Sequence, residues 1–579
     1  MNKLSYNPKN LSIQRDLMVY NVKFLNKISF NFELSHQLKP QLRRLNQQKC
    51  LRHLNVSNFS RSNTNFNSIQ SLLNSNHSSL KTCCLLPSQL LNTKQCTKIF
   101  KNFKQLTQIK LPASKHVLQF LKYWRTLKVL ESSSSNFPEI LQQVTGKYLE
   151  NFLHHKSSPL ELLKLPFSNK ANQQFPSLIP YDRISSKINH IHYMLEQYTL
   201  KPFDHESLFP QILLEKIVQL DLAIRESTLL EQIIQNGSNF VNLKALFLTI
   251  KDTSNQQFET IMNLLRNLQS LDKLKTFNLW ILPHISSKVF FAFFINTKLP
   301  ESLKQLSIHA QLDEKEMNNV IVKRRGKFFF PSSLTDLALH ISAPHYTAQV
   351  LLAFSLIQMT ELSELNSFNY HVVNSPKETN IKTLESQVDY LAKEFRLNLN
   401  DVFEKLAQLR SLQTFSIIAP YLIYNEIESK TLPCFHRIKA ITLCGSHPLI
   451  PNTLTSYLKT LPLQRISILQ LDTKEILGQK ELIERLTLIR KIQNLQFLST
   501  DLDIKEDNNL DLKQIYRAIL KLIVSLMNLE KFFLNINSLK SSENFEQSLT
   551  SNLKYHKTLI SYNFTCKNFN LYKNHSLNF

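Results

Sequence analysis

The sequence predicts a curved α/β solenoid, with parallel strands on its concave side and helices on its convex side. Three observations predict it. A hydrophobic triplet, Leu-x-x-Leu-x-Leu or its Phe, Ile or Tyr equivalents, recurs along almost the whole 579-residue chain. The text ahead of several triplets carries apolar residues at helical spacing. Elsewhere a Pro turn leads straight into the triplet. A fixed period of roughly 20–50 residues marks a chain whose units bury their apolar faces only against neighbouring units.

In chain order, the triplet starts with Leu25/Ile28/Phe30, Leu51/Leu54/Val56, Leu80/Cys83/Leu85 and Leu106/Ile109/Leu111. It continues with Leu127/Leu130, Leu160/Leu163/Leu165, Ile188/Ile191/Tyr193 and Ile217/Leu220/Leu222. The clearest block is Leu243/Leu246/Leu248, Leu274/Phe277/Leu279, Leu303/Leu306/Ile308, Leu334/Leu337/Leu339 and Leu365/Phe368/Tyr370, with starts 31, 29, 31 and 31 residues apart. After it come Leu412/Phe415/Ile417, Ile438/Ile441/Leu443, Leu463/Ile466/Ile468, Leu495/Leu498, Leu529/Phe532/Leu534 and Leu559/Tyr562/Phe564. Single triplets are cheap in a chain that is 42% hydrophobic, so the spacing and the intervening text carry the weight. Before Leu274, the residues Ile261, Met262, Leu264, Leu265 and Leu268 predict a helix, as do YTAQVLLAFSLIQMTEL before Leu365 and LKQIYRAILKLIVSLMN before Leu529. Pro300 and Pro331 stop the preceding segments and open two units through turns. The gap from Leu365 to Leu412 leaves room for an insertion near 371–400, and the Ser-rich run Ser132–Ser135 marks an irregular stretch.

These units resemble the leucine-rich repeat superfamily, in its longer, helix-containing class. The resemblance divides the chain into an N-terminal cap or tail (1–24), a solenoid (25–570) and a C-terminal tail (571–579). It implies a non-enzymatic scaffold that binds a protein partner on the concave face. One departure stands out. The family places Asn or Cys three residues after the last Leu of the triplet, where this chain has Lys251, Leu282, Gln311, Ser342 and Val373; Asn537 is one of few matches.

Composition removes several function classes. With 5 Gly in the chain, there is no glycine-rich phosphate loop and no G-x-S-x-G nucleophile elbow. Asp336 near His340 could orient an imidazole, but no motif places a nucleophile beside them, so no enzyme and no cofactor are expected. The seven Cys form no C-x-x-C pair, which points to reduced thiols rather than a metal site or a disulfide framework. Apolar runs such as Val289–Ile295 are too short to span a bilayer. The expected compartment is intracellular, cytoplasmic or nuclear, with a mitochondrial location as the alternative.

Charge is unevenly placed. Residues 1–130 hold 21 Lys and Arg against Asp16 and Glu33, a net +19 of the chain's +25. Such a block is a solvated face, an attractor of polyanions and anionic surfaces, or, in its first few tens of residues, an organelle-targeting segment. Lys39, Arg43, Arg44, Lys49, Arg52, Lys98, Lys101 and Lys104 are the candidate contacts, and they define the alternative of a nucleoprotein or organellar subunit touching RNA or DNA. Lys323-Arg324-Arg325-Gly326-Lys327 reads as a nuclear-import patch or a basic loop. LPSQLLNTKQCTKIF (86–100) is faintly similar to the start of an F-box, which would make the protein a ubiquitin-ligase adaptor.

Strand side chains alternate. If triplet positions 4 and 6 face the core, then positions 3, 5 and 7 face the ligand side. Position 7 holds Trp280, His309, His340 and His371 on consecutive units, and position 3 adds Gln305 and Asp336. These residues either stack on the sheet without a ligand or bind a partner; pH sensing and metal binding are the other chemistries that neighbouring imidazoles allow.

Overall fold

A computed structural model describes residues 3–6, 27–31, 52–59, 71–87, 103–111, 126–132, 162–169, 190–197, 215–251, 255–286, 289–290, 297–313, 330–343, 351–372, 399–418, 437–445, 455–505, 511–536 and 538–573, apart from a few positions within these spans. The chain divides into two compact units, one ending at Thr249 and the other spanning Ile250–Asn574.

Among the described residues, the strands of the first unit are β1 (Lys3–Tyr6), β2 (Lys27–Asn31), β3 (His53–Phe59), β4 (Thr82–Pro87), β5 (Gln108–Leu111), β6 (Val129–Ser132), β7 (Leu162–Asn169), β8 (His190–Gln197), β9 (Ile217–Ile224) and β10 (Ala245–Ile250), whose last residue opens the second unit. Each pairs in parallel with the next from β1 to β9. The fourth residue of one triplet opposes the fourth of the next: Ile28 faces Leu54, Leu54 faces Cys83, and Cys83 faces Ile109. β1 lies within the segment expected as a cap or tail and adds one more parallel strand, Leu4 against Ile28. Helix α1 (Thr228–Gln235) runs between β9 and β10.

The second unit carries β11 (Thr276–Ser286), β12 (Gln305–Asp313), β13 (Asp336–Ser342), β14 (Ser367–Val372), β15 (Thr414–Ile418), β16 (Ala440–Gly445), β17 (Ile468–Leu477), β18 (Phe497–Ile504), β19 (Lys531–Ile536), β20 (Ser561–Cys566) and β21 (Phe569–Lys573). The strands β11 to β20 form an unbroken parallel ladder. A parallel neighbour needs a crossover, and the described crossovers are helical: α2 (Asn255–Leu265) ahead of β11, α3 (Leu399–Gln408), α4 (Gln479–Arg490), α5 (Leu512–Ser525) and α6 (Glu543–Tyr555). α2 and α5 are the helices expected before Leu274 and Leu529. Before Leu365 the described positions Leu351, Leu352, Leu356 and Met359 are helical and buried. β21 turns back against β20 as an antiparallel hairpin. Both units are therefore built as an α/β solenoid of parallel strands. The insertion near 371–400 falls almost wholly on residues outside the described set, as do Ser133–Ser135, the 86–100 segment beyond Pro87, and 323–327.

The core is made of the triplets. Leu274, Phe277 and Leu279 are fully buried, and so are Leu334, Leu337 and Leu339. Each such side chain contributes about 1.5–3 kcal/mol by leaving water. One triplet is corrected. The expected Leu463/Ile466/Ile468 is shifted by three residues: the buried set is Ile466, Leu469 and Leu471, while Ile468 is 38% exposed. Leu469 pairs with Ile441 and Leu498, the fourth residues of the flanking triplets. A run with apolar residues at 463, 466, 468, 469 and 471 satisfies two phases of the triplet, and only the neighbouring strands select one.

The missing Asn after the strand has a substitute ahead of it. The residue just before the triplet donates its side chain back to a carbonyl of the preceding unit. Ser302 reaches Leu274 (2.7 Å), Ser333 reaches Leu303 (2.8 Å), Asn494 reaches Gln464 (2.6 Å), Asn528 reaches Gln493 (3.0 Å) and Thr558 reaches Leu529 (2.8 Å). In the first unit Asn242 reaches Glu215 (2.6 Å) in the same way. These bonds satisfy backbone acceptors at the start of each strand, a requirement for any buried turn.

Candidate functional site

The site lies on the strand face of the second unit. Its placement follows from the pleat: on β12 to β14 the fourth and sixth triplet residues are buried, and the third, fifth and seventh are at least partly open. The parallel register then aligns the seventh positions. Trp280 opposes His309, His309 opposes His340, and His340 opposes His371. The third positions align likewise, Gln305 with Asp336. All six candidate partner-binding residues therefore share one face of four adjacent strands.

The rings touch. Trp280 stacks on His309 with centroids 4.1 Å apart, and His309 stacks on His340 at 4.2 Å with planes 1° from parallel. His371 meets His340 edge-on, at 5.6 Å and 69°. Trp280 remains 44% exposed. The β11–β12 register shifts immediately after Trp280, and Leu282 on that irregular stretch is also 44% exposed. Bulges re-aim side chains and cluster beside functional sites.

The row is electrostatically neutral near neutrality. Burial, then the charges of His340 and His371, lower the His309 pKa from the ordinary 6.5 to about 4. Burial and His371 lower that of His340, and burial lowers that of His371. Around the rings lie small polar groups. Ser307 Oγ sits 3.3 Å from His309 Nε2, Thr276 donates to Gln305 Oε1 at 3.1 Å, and Thr335 donates to Asp336 Oδ2 at 2.7 Å. His309 and His340 stack face to face and His371 meets His340 edge-on, and among the described residues no group of three or more His, Cys, Asp or Glu is arranged to hold a metal ion.

The same row continues beyond His371. Past His371 the ladder aligns Ile418, Cys444, Asp472, Asp501, Asn535 and Thr565. Each is the seventh residue counted from its unit's first triplet residue, so the offset that picks out Trp280 also finds these. The misphased unit at Leu463 hid Asp472. Its carboxylate accepts from Gln470 (2.5 Å) and Ser499 (2.8 Å), with Cys444 Sγ at 3.6 Å. Burial and Asp472 push the Cys444 thiol up to about 12. Asp501 accepts from Asn535 at 3.0 Å. The β17–β18 register shifts immediately after Asp472, as the β11–β12 register does after Trp280.

Of the candidate polyanion contacts, Arg52 is described and exposed, immediately ahead of β3. Lys39, Arg43, Arg44, Lys49, Lys98, Lys101 and Lys104 lie outside the described residues. Among the described residues, no helix is long and apolar enough to cross a membrane.

No family profile matches the chain, and no curated protein matches it. Among solved structures, an internalin from Listeria monocytogenes is similar at 12% identity and a TM-score of 0.30, over 80% of this chain and 88% of that one. The Toll–Spatzle complex of Drosophila is similar at 14% identity and 0.33, over 83% of this chain and 54% of that one. The leucine-rich repeat-containing protein LegL7 from Legionella pneumophila is similar at 12% identity and 0.26, over 76% and 97%.

Proposed function

We propose that this protein is a non-enzymatic binding scaffold that holds a protein partner on the strand face of its second unit. The observation that carries this reading is the exposed Trp280, stacked on an in-register column of imidazoles. Trp is the residue type most enriched at binding hot spots. Here it is already ordered by stacking, so binding would cost little further side-chain entropy. The small polar side chains around it can supply a wet, hydrogen-bonding rim of the kind that surrounds such anchors. Gln305 and Asp336, aligned across β12 and β13, belong to that rim.

The test compares capture from the native cell, read by mass spectrometry, between the wild-type chain and Trp280→Ala/His340→Ala. The expected result is loss of the same partner from the double variant, with circular dichroism unchanged. Identical capture by both proteins overturns the reading.

A further inference from the structure

The helix layer of the second unit ends in an apolar tip that the core does not use. Val524 near the end of α5, Met527 in the turn after it and Tyr555 at the end of α6 are 57%, 59% and 73% exposed. The core-facing side of α5 is already filled by Ile515, Ile519, Leu522 and Ile523. The three exposed residues belong to one place, because the chain that leaves α6 lies against the turn that leaves α5. His556 Nε2 is 3.1 Å from the Leu526 carbonyl oxygen, and Thr558 donates to that of Met527 at 2.9 Å. A single exposed apolar side chain needs no explanation, whereas several large ones at one place mark a surface that meets something.

The surroundings of the tip are basic. α5 holds no acidic residue, and its exposed Lys513, Arg517 and Lys521 follow one another at four-residue spacing. They therefore form one outward stripe, which leads to Val524 three residues beyond Lys521. Like charges at this spacing work against a helix, so the stripe is not explained by helix stability. Lys554 and Lys557, both exposed, flank Tyr555 and His556, and Lys554 Nζ lies 5.8 Å from the Tyr555 ring. Glu530 is the one acid between Asp511 and Glu543.

We propose that this tip, Val524, Met527 and Tyr555 with Lys521, Lys554 and Lys557, docks the second unit on a membrane surface rich in anionic lipid. An acidic amphipathic segment of a protein would match the same charges, but it lays its apolar face into a groove. Here the apolar side chains stand more than half out of the surface, at a turn and two helix ends. Projecting apolar groups ringed by lysines match a bilayer, where hydrocarbon takes the former and anionic headgroups take the ammonium groups. Tyr favours the membrane–water boundary, and Lys keeps its head at the headgroups while its stem lies on apolar surface. The tip belongs to the helix layer, so the strand face that carries Trp280 stays open. This inference is independent of the function proposed for that face.

The test is co-sedimentation of the full chain with vesicles of phosphatidylcholine and phosphatidylserine, mixed about two to one, against vesicles of phosphatidylcholine alone. The expected result is roughly tenfold or greater preference for the anionic vesicles. Val524→Ser/Met527→Ser/Tyr555→Ser and Lys521→Glu/Lys557→Glu should each weaken that binding by about tenfold. All five positions are exposed, so both variants should keep the wild-type circular dichroism. The basic block in residues 1–130 also attracts anionic surfaces, and a depth probe separates the two. In a Trp124→Phe/Trp280→Phe chain that carries Tyr555→Trp, emission should shift to the blue on vesicles and be quenched by brominated lipid. No binding to anionic vesicles, binding that survives both variants, or emission that stays unquenched overturns the proposal. So does loss in the charge variant alone, which means adsorption without insertion. A Glu-rich peptide that binds the wild-type chain where vesicles do not would assign the tip to an acidic protein segment and overturn the membrane reading as well.

Discussion

Leu337 and His340 sit three residues apart on β13 yet face opposite ways, the first fully buried and the second half-open in the ring stack. Leu337→Ala leaves a core cavity and should cost roughly 2–5 kcal/mol. His340→Ala should stay within about 0.5 kcal/mol. Urea unfolding of the two variants checks this, and the reverse order would mean that the faces are exchanged, since a one-residue slip swaps them. A second residue-scale prediction concerns protons. The folded pKa of His309 is lowered to about 4, first by burial and then by His340 and His371. Between about 4 and the ordinary 6.5 the unfolded chain therefore binds more protons than the folded one. Stability from this group is complete above pH 6.5 and is lost as pH falls towards 4. Protonation of His309 should quench the stacked Trp280. In a Trp124→Phe protein, which leaves Trp280 as the one tryptophan, the fluorescence midpoint is expected well below 6.5 and should rise when His340→Ala removes a contributing charge. A midpoint of 6.5 in both proteins contradicts the stacked geometry.

Each repeat depends on its strand start. The bond from Asn528 to the Gln493 carbonyl, and those from Thr558 to Leu529 and Met527, tie each unit to the one before it. Asn528→Ala should cost about 0.5–1.5 kcal/mol, the usual net value of such a bond. Asp511→Ala removes the side-chain cap on the Gln514 amide at the head of α5, and should cost about 1 kcal/mol through fraying of that helix. Hydrogen exchange separates the two: the first raises exchange at the start of β19, the second in the first turn of α5. The Asn528 contact was partly legible in the sequence, because Asn, Ser or Thr recurs just before the triplet at 242, 302, 333, 494, 528 and 558. Its purpose was not, because a carbonyl one repeat earlier becomes a neighbour only once the strands pair.

A molecule in which each repeat touches only its neighbours responds locally to damage. Leu337→Ala should speed amide exchange in β12, β13 and β14 before it does so in β19 or β20. Uniform acceleration throughout the second unit would instead indicate a single cooperative block. Charge is the other whole-molecule property. With +19 of the net +25 in residues 1–130, contact with a polyanion through that block predicts RNA binding by the full chain that falls steeply with salt. An absence of binding at low salt removes the nucleoprotein alternative.

The amino-acid sequence alone determined the repeat, the alternation of strand and helix, and the phase of most strands, because a buried triplet every 30 residues or so has few ways to hide its apolar side chains. It also placed Trp280, His309, His340 and His371 at equivalent positions, since equivalence depends only on counting from Leu274, Leu303, Leu334 and Leu365. Tertiary structure decided the rest. The phase at Leu469 required its partners Ile441 and Leu498, because the local pattern satisfied two alternatives. The stacking distances, the register shifts after Trp280 and Asp472, and the pairing of Asp472 with Asp501 arise between residues about 30 positions apart. Periodicity ranks such residues as equivalent, and only strand pairing makes them neighbours.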